Sequence, residues 1–182
     1  MKAKMMAAVA TVCVAGLALA GCNQQQASNE PTKAAEPAAQ GAPAPQAADI
    51  SPESNQKFLA DNAKRPGVKV TADGLQYRVI KAGTGKPATA PTDNVTVTYK
   101  GALIDGKVFD QTQDGMPATF PAGQLIPGWV EALQMMKEGD EWELVIPSDL
   151  GYGAARVANG AIPPNQVLVF DMELVAVVRA RP

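Results

Sequence analysis

LIPGWVEALQMM, Leu125 to Met136, decides how the rest of the chain reads. A Pro-Gly break at Pro127 and Gly128 opens it, and an amphipathic helix follows. Trp129, Ala132, Leu133 and Met136 fall at i, i+3, i+4 and i+7, one apolar stripe at helical period. Lys137 and Gly139 sit where a helix favours a cation and a C-cap glycine. A helix this short is marginal alone in water, so its bulky first turn needs a surface to lie on. The flanking sequence supplies strands for that surface. The pattern predicts strands that wrap the helix, with Trp129 at the floor of a pocket between helix and sheet.

The strands read by alternation. Leu75 to Ile80 runs into the break Gly83-Thr84-Gly85. From Asn94 to Lys100, Val95, Val97 and Tyr99 share one face and Thr96 and Thr98 the other. Asp105-Gly106 is a two-residue hairpin signal between Ala102-Leu103-Ile104 and Lys107-Val108-Phe109. Thr119-Phe120 is a short strand before the helix. After it, Trp142, Leu144 and Ile146 alternate with Glu141, Glu143 and Val145, and Pro147 ends the run. Ser148 to Pro164 is a long loop, a length that in compact domains is usually functional or disordered. Val167 to Val178 is the longest strand, with Leu168, Phe170, Met172 and Leu174 facing one way. Upstream, Ser51-Pro52-Glu53 reads as an N-cap with proline at the first helical position, and Pro66-Gly67 ends that short helix. The expected class is α+β: a twisted antiparallel sheet wrapped around one short amphipathic helix, packed on one sheet face.

The N-terminal residues are not fold. Lys2 and Lys4 precede an apolar run from Met5 to Ala20, and Leu19-Ala20-Gly21-Cys22 follows. This is a secretory signal, too short and too rich in small residues to favour a permanent spanning helix. Cys22 directly after Ala-Gly resembles the lipobox of bacterial lipoproteins, which implies cleavage before Cys22 and acylation of the new terminus. An ordinary signal peptide with a chance cysteine is the plainer alternative. Asn23 in place of aspartate resembles the class sorted to the outer membrane. Asn23 to Asp49 is Ala, Pro, Gln and small polar residues, which cannot bury enough surface to offset their ordering entropy. It reads as a disordered tether with a reach of roughly 30 Å.

Composition excludes several chemistries. Cys13 leaves with the signal and Cys22 carries lipid, so no thiol remains for a disulfide, a metal or catalysis. The chain has no histidine, which removes Ser–His and Cys–His hydrolysis and the commonest metal ligand. No cofactor or metal is expected. Without Lys2 and Lys4, 14 of the 16 basic side chains remain against 18 acidic ones, a net charge of −4. No basic run with interleaved aromatics stands out, so nucleic acid is not an expected partner.

Four separated blocks carry a family resemblance: VTVTYKGALIDGKVFD (Val95 to Asp110), LIPGW (Leu125 to Trp129), IPSDLGYG (Ile146 to Gly153) and IPPNQVLVFDMEL (Ile162 to Leu174). Together they resemble the FKBP-type peptidyl-prolyl cis–trans isomerases, from about Gly67 to Val178. The lead-in from Phe58 to Ile80 resembles the macrophage-infectivity-potentiator subgroup. That subgroup usually dimerises through a longer N-terminal helix. Only its last piece is present here, so a monomer is expected. The chain then divides into signal peptide 1–21, tether 22–49, helical lead-in 50–66 and isomerase domain 67–182.

The resemblance implies a pocket walled by Tyr99, Phe109, Phe120, Leu125, Ile126, Ile162 and Phe170, with Trp129 as floor. Its polar groups would be the Asp110 carboxylate, the Tyr152 hydroxyl and the Ile126 N–H. Taken singly, these residues read equally as core or turn; the ordered set argues for a site. Two positions depart from many members. Ala118 stands where a rim aromatic is common, and Gln111 to Met116 lacks the arginine that often follows the aspartate. Asp110 would then be held by tyrosine hydroxyls or backbone donors. Both departures bear on affinity for macrolides of the rapamycin type more than on isomerisation.

Histidine is not needed for that chemistry. An X–Pro bond rotates over about 18–20 kcal/mol because amide resonance must be broken, with no covalent step. An apolar aromatic slot favours the less polar, twisted amide over the planar one, and rate follows from that difference. The implied partners are proline-containing polypeptides of the bacterial envelope, met by a lipid-anchored domain facing the periplasm or the exterior. The alternative is an FKBP-like binding module or holdase with little turnover. The sequence makes one direct prediction. The intact mass of the mature protein should correspond to a start at Cys22 plus acyl chains, and Cys22→Ser should release the protein from membranes; an unmodified start elsewhere refutes this.

Overall fold

The computed structural model describes residues 44–47, 49–87, 90–113 and 116–179. Its centre is a pair of long antiparallel strands, β3 (Asn94–Leu103) and β7 (Leu168–Val178). They pair from Asn94↔Val178 to Leu103↔Leu168, with one slip where β7 carries Val175 as an extra residue. Around them lie β1 (Val68–Val70), β2 (Gln76–Lys81), β4 (Val108–Gln111), β5 (Ala118–Pro121) and β6 (Glu141–Ile146). The order across the sheet is β1-β2-β6-β7-β3-β4, all antiparallel. β4 and β5 share one edge of β3: β5 takes Asn94 to Val97 and β4 takes Lys100 to Ala102.

Paired residues in antiparallel strands point to the same face. Val97 and Leu174, Tyr99 and Met172, and Trp142 and Met172 are such pairs, and they build the inner face. Helix α2 (Pro127–Met135) lies on that face. Trp129, Ala132, Leu133 and Met136, the stripe read from the sequence, are all buried in its core. The end of α2 differs from the expectation. Met136 is already extended at ψ 156°, and Gly139, at φ +89°, is not the C-cap. It belongs to a turn in which the Asp140 N–H donates to the Lys137 carbonyl, 2.9 Å. That turn is tied to β7 through Gly139 N–H to Leu174 O at 2.7 Å, so Lys137 lies beyond the last helical turn.

The β3–β4 hairpin also differs. Leu103 N–H donates to Lys107 O (3.0 Å) and Gly106 N–H to Leu103 O (2.9 Å), so the loop is three residues, Ile104 to Gly106, with Gly106 at φ +86°. A type I turn closed by a left-handed glycine has this form. The added residue is Ile104, which is buried against Phe58, Val145 and Val167.

That second cluster lies on the outer face of the sheet, beyond the packing read from the sequence. Helix α1 (Pro52–Asn62) covers part of the outer face, so Val145 is 1% exposed although it points away from α2. The last residues of the expected tether reach the same patch. Ala47 N–H donates to Ile104 O at 2.7 Å, and Ala44, Ala47 and Ile50 pack on the cluster. The signal segment, Cys22 and residues 23–43 lie outside the described residues.

α1 is held by buried polar groups as well as by Phe58. Ser51 caps it, accepting from the Ser54 N–H. Asn55 donates to Ile50 O, Ser51 O and Gln166 Oε1, and accepts from the Val167 N–H at 3.0 Å. Asn62 donates to Gln76 Oε1, which lies on β2. Arg65 and Arg78 both pair with the buried Glu143 on β6, at 2.5 and 2.9 Å. Leaving a buried amide without its acceptor costs about 1–3 kcal/mol. Asn55→Ala is therefore expected to lower the unfolding free energy of the mature protein by about that amount in a urea titration. A loss of only a few tenths would mean that α1 does not hold the outer face.

Candidate active site

Between α2, the inner face of β3 and the loop after β6 lies a cavity of about 230 Å³. Trp129, buried, lines it, and the reason is local. Pro127 takes the first helical position after Ile126, the extended N-cap at ψ 147°. A Cβ on Gly128 would stand 2.7 Å from Ile146 Cγ2, so only glycine lets the first turn of α2 sit this close to β6. Trp129 then meets Tyr99 and Phe170 edge-on, with ring centroids 5.0 and 5.1 Å apart and both interplanar angles 81°. Phe109 meets Phe170 in the same way at 5.6 Å. Edge-to-face pairs of this kind gain from their quadrupoles beyond the area they bury. The Trp129 Nε1 is buried with no hydrogen-bond partner among the described residues.

Gly101 makes room for this cluster. A Cβ there would lie 2.6 Å from Phe170 Cε1 and 2.8 Å from Phe109 Cε2. A bulge in β4 supplies the next element. Gly101 pairs with Asp110 but Ala102 pairs with Val108, so Phe109 is the extra residue. Regular alternation would send Phe109 and Asp110 to opposite faces; here both line the cavity.

The Tyr99 hydroxyl donates to Asp110 Oδ2 at 2.7 Å. Tyr99 is fixed in turn by Thr112, whose Oγ1 accepts the Tyr99 N–H at 3.1 Å. Tyr152 stands on the turn after β6. That turn is closed by Gly153 N–H to Ser148 O and pinned by Asn165 N–H to Gly153 O, at 2.9 and 2.7 Å. Both phenols are pushed above the ordinary tyrosine range. Burial is the main cause for each, followed for Tyr99 by its hydrogen bond to Asp110 and for Tyr152 by the charge of Asp110. They therefore stay protonated donors throughout the neutral range.

Leu125, Ile126 and Phe120 complete the apolar lining. The Ile126 carbonyl accepts from Trp129 and Val130, while its N–H meets no acceptor among the described residues. Ile162 is placed differently from the sequence reading: it is 2% exposed in the core, paired with Val157, and does not line the cavity. Ala118 pairs with Val97 at the start of β5 and adds no wall. Gln124, at the end of a 3-10 turn, lines the cavity although the sequence reading did not select it. Its one available signal was its place directly before Leu125-Ile126.

Residues 85–175, half of the chain, match the family described as FKBP-type peptidyl-prolyl cis-trans isomerase. The chain belongs to this family. Residues 2–79 match the domain described as amino-terminal to FKBP-type peptidyl-prolyl isomerase. The outer membrane protein MIP of Legionella longbeachae is 51% identical over 125 residues, covering 68% of this chain and 52% of that protein. A probable FKBP-type isomerase, FkpA, of Neisseria meningitidis is 49% identical over 131 residues, covering 71% and 47%. The chain thus spans about half the length of these relatives. Among solved structures, FkpA from Escherichia coli superposes with a TM-score of 0.66 at 44% identity, covering 71% of this chain and 60% of that one. A peptidyl-prolyl isomerase from Pseudomonas syringae gives 0.64 at 42%, covering 70% of this FKBP-type chain and 92% of its own.

The raised phenols link stability to pH. Their folded-state values lie above the unfolded reference near 10, so the folded state holds these protons more tightly. The stability this contributes is complete below about pH 10 and is lost as pH rises through the folded values. The urea midpoint should accordingly decline above about pH 10, and less steeply in Tyr99→Phe. Equal slopes in parent and variant would show that Tyr99 is not responsible.

Proposed function

We propose that this chain is a peptidyl-prolyl cis–trans isomerase that assists the folding of bacterial envelope proteins. The observation that carries the reading is the cavity lined by Tyr99, Phe109, Phe120, Trp129 and Phe170 together with Asp110 and Tyr152, in a chain of this family. A proline ring over Trp129 meets only apolar edges, and the planar amide loses solvation there that the less polar twisted amide needs less. The Ile126 N–H and the Tyr152 hydroxyl hold a peptide carbonyl in place. Asp110 orients Tyr99 and polarises the site without accepting a proton. In this reading the mature protein is a monomer carried on the lipid of Cys22, in the outer membrane. The name of the Legionella relative supports the envelope setting. No helix among the described residues is long and apolar enough to cross a membrane. Macrolides of the rapamycin type belong to the same proposal as ligands of the same cavity, held less firmly because Ala118 offers no rim aromatic.

The test is isomerisation of a short X–Pro peptide by the purified mature protein, with suppression of aggregation measured alongside. With no titrating group near neutrality in the mechanism, kcat/KM should be level from about pH 6 to about pH 9. Tyr152→Phe should cost about 1 kcal/mol, roughly fivefold in rate. Asp110→Asn should reduce activity without abolishing it. A bell-shaped profile centred near neutrality would reveal an acid–base step absent from this mechanism. Suppressed aggregation with no isomerisation would favour a binding module.

A further inference from the structure

Asp110 is the single formal charge among the ten residues that line the cavity. Among the described residues, no lysine or arginine forms an ion pair with it; the ion pairs involve Asp61, Glu143 and Glu173 instead. Its one hydrogen-bond donor there is the neutral Tyr99 hydroxyl, on Oδ2. The sequence that follows, Gln111 to Met116, holds no basic residue. The carboxylate is exposed, at the polar side of a slot whose other walls are uncharged, and aromatic or apolar except for Gln124. A carboxylate beside aromatic faces, with no internal cation, is the chemistry that receives a cation from a ligand. A polypeptide can deliver one. Successive residues of an extended chain are about 3.5 Å apart, so the neighbour of a proline seated on Trp129 reaches the cavity rim.

We propose that the cavity selects proline segments flanked by a basic residue, with Asp110 as the counter-charge that no described lysine or arginine neutralises. The inference rests on the isomerase reading above and adds to it a class of substrate. It also gives the missing arginine a consequence: a cation from the chain itself would occupy Asp110 and erase the preference.

The experiment compares two peptide sets with the purified mature protein. One set carries Lys, Gln or Glu immediately before proline, the other immediately after it; Gln separates charge from side-chain length. In at least one set kcat/KM should run Lys, then Gln, then Glu, with Lys over Glu by about fivefold at low salt, the size of one exposed ion pair. The ratio should approach one between about 0.01 M and about 1 M salt, as the Debye length falls from about 30 Å to about 3 Å. Asp110→Asn should collapse the ratio at low salt whatever its absolute rate. Gln113→Arg, at an exposed position three residues on, should lower it by supplying an internal cation. Equal rates for Lys, Gln and Glu in both sets, with isomerisation fast, overturn this inference alone. A ratio that survives both substitutions overturns the assignment to Asp110. Isomerisation of no peptide at all overturns the isomerase reading itself.

Discussion

The cavity depends on how closely the first turn of α2 approaches β6. Gly128 sets that distance, because any Cβ there would enter the van der Waals shell of Ile146. Had the helix stood further off, Trp129 would not reach the inner face, and its two edge-on contacts with Tyr99 and Phe170 would open. Gly101 plays the matching part on the sheet, leaving the volume into which the Phe109 and Phe170 rings turn. Two missing side chains on different elements thus define a slot that apolar side chains alone would have filled. Interiors pack without large voids, so a preserved hollow needs a rigid rim of this kind.

The outer face of the sheet supports the same geometry from behind. β6 carries Leu144 and Ile146 toward α2 and Glu143 and Val145 toward α1. Glu143 is buried between Arg65 and Arg78, and its desolvation is offset only because both guanidiniums bond to it. Such an arrangement adds little net stability relative to an apolar replacement, but loss of either guanidinium would leave a buried charge poorly compensated. Asn55, bonded at both ends of its amide, fixes α1 in the same way. The strand that receives the helix on one face is therefore clamped on the other.

Polarity inside the slot is arranged around one charge. Among the described residues Asp110 receives a phenol and no cation, and burial together with its field keeps both Tyr99 and Tyr152 protonated. In the proposed function, the donors to a peptide carbonyl thus do not compete with an ion pair. The proposed mechanism, solvation and placement, calls for no histidine, and the chain contains none.

The sequence by itself determined the elements and the chemical inventory. The stripe from Trp129 to Met136, the alternation of β3, β6 and β7, and the cap at Ser51 were legible because each is a periodicity or a cap within one element. The same holds for what is absent: no histidine in the chain, and no basic residue from Gln111 to Met116. Tertiary structure alone decided which faces meet. The β4 bulge brings Phe109 and Asp110 to one side, and the hydroxyl of Tyr99 reaches across a hairpin to Asp110. Ile104 lengthens that hairpin by turning into the outer cluster, Ile162 sinks into the core, and Gln124 comes to the cavity. The outer face, α1 and Ala47 form one packed surface. None of these is periodic within an element. Each depends on register, bulges and the volume left by partners distant in the chain, and such quantities exist only once the strands have paired.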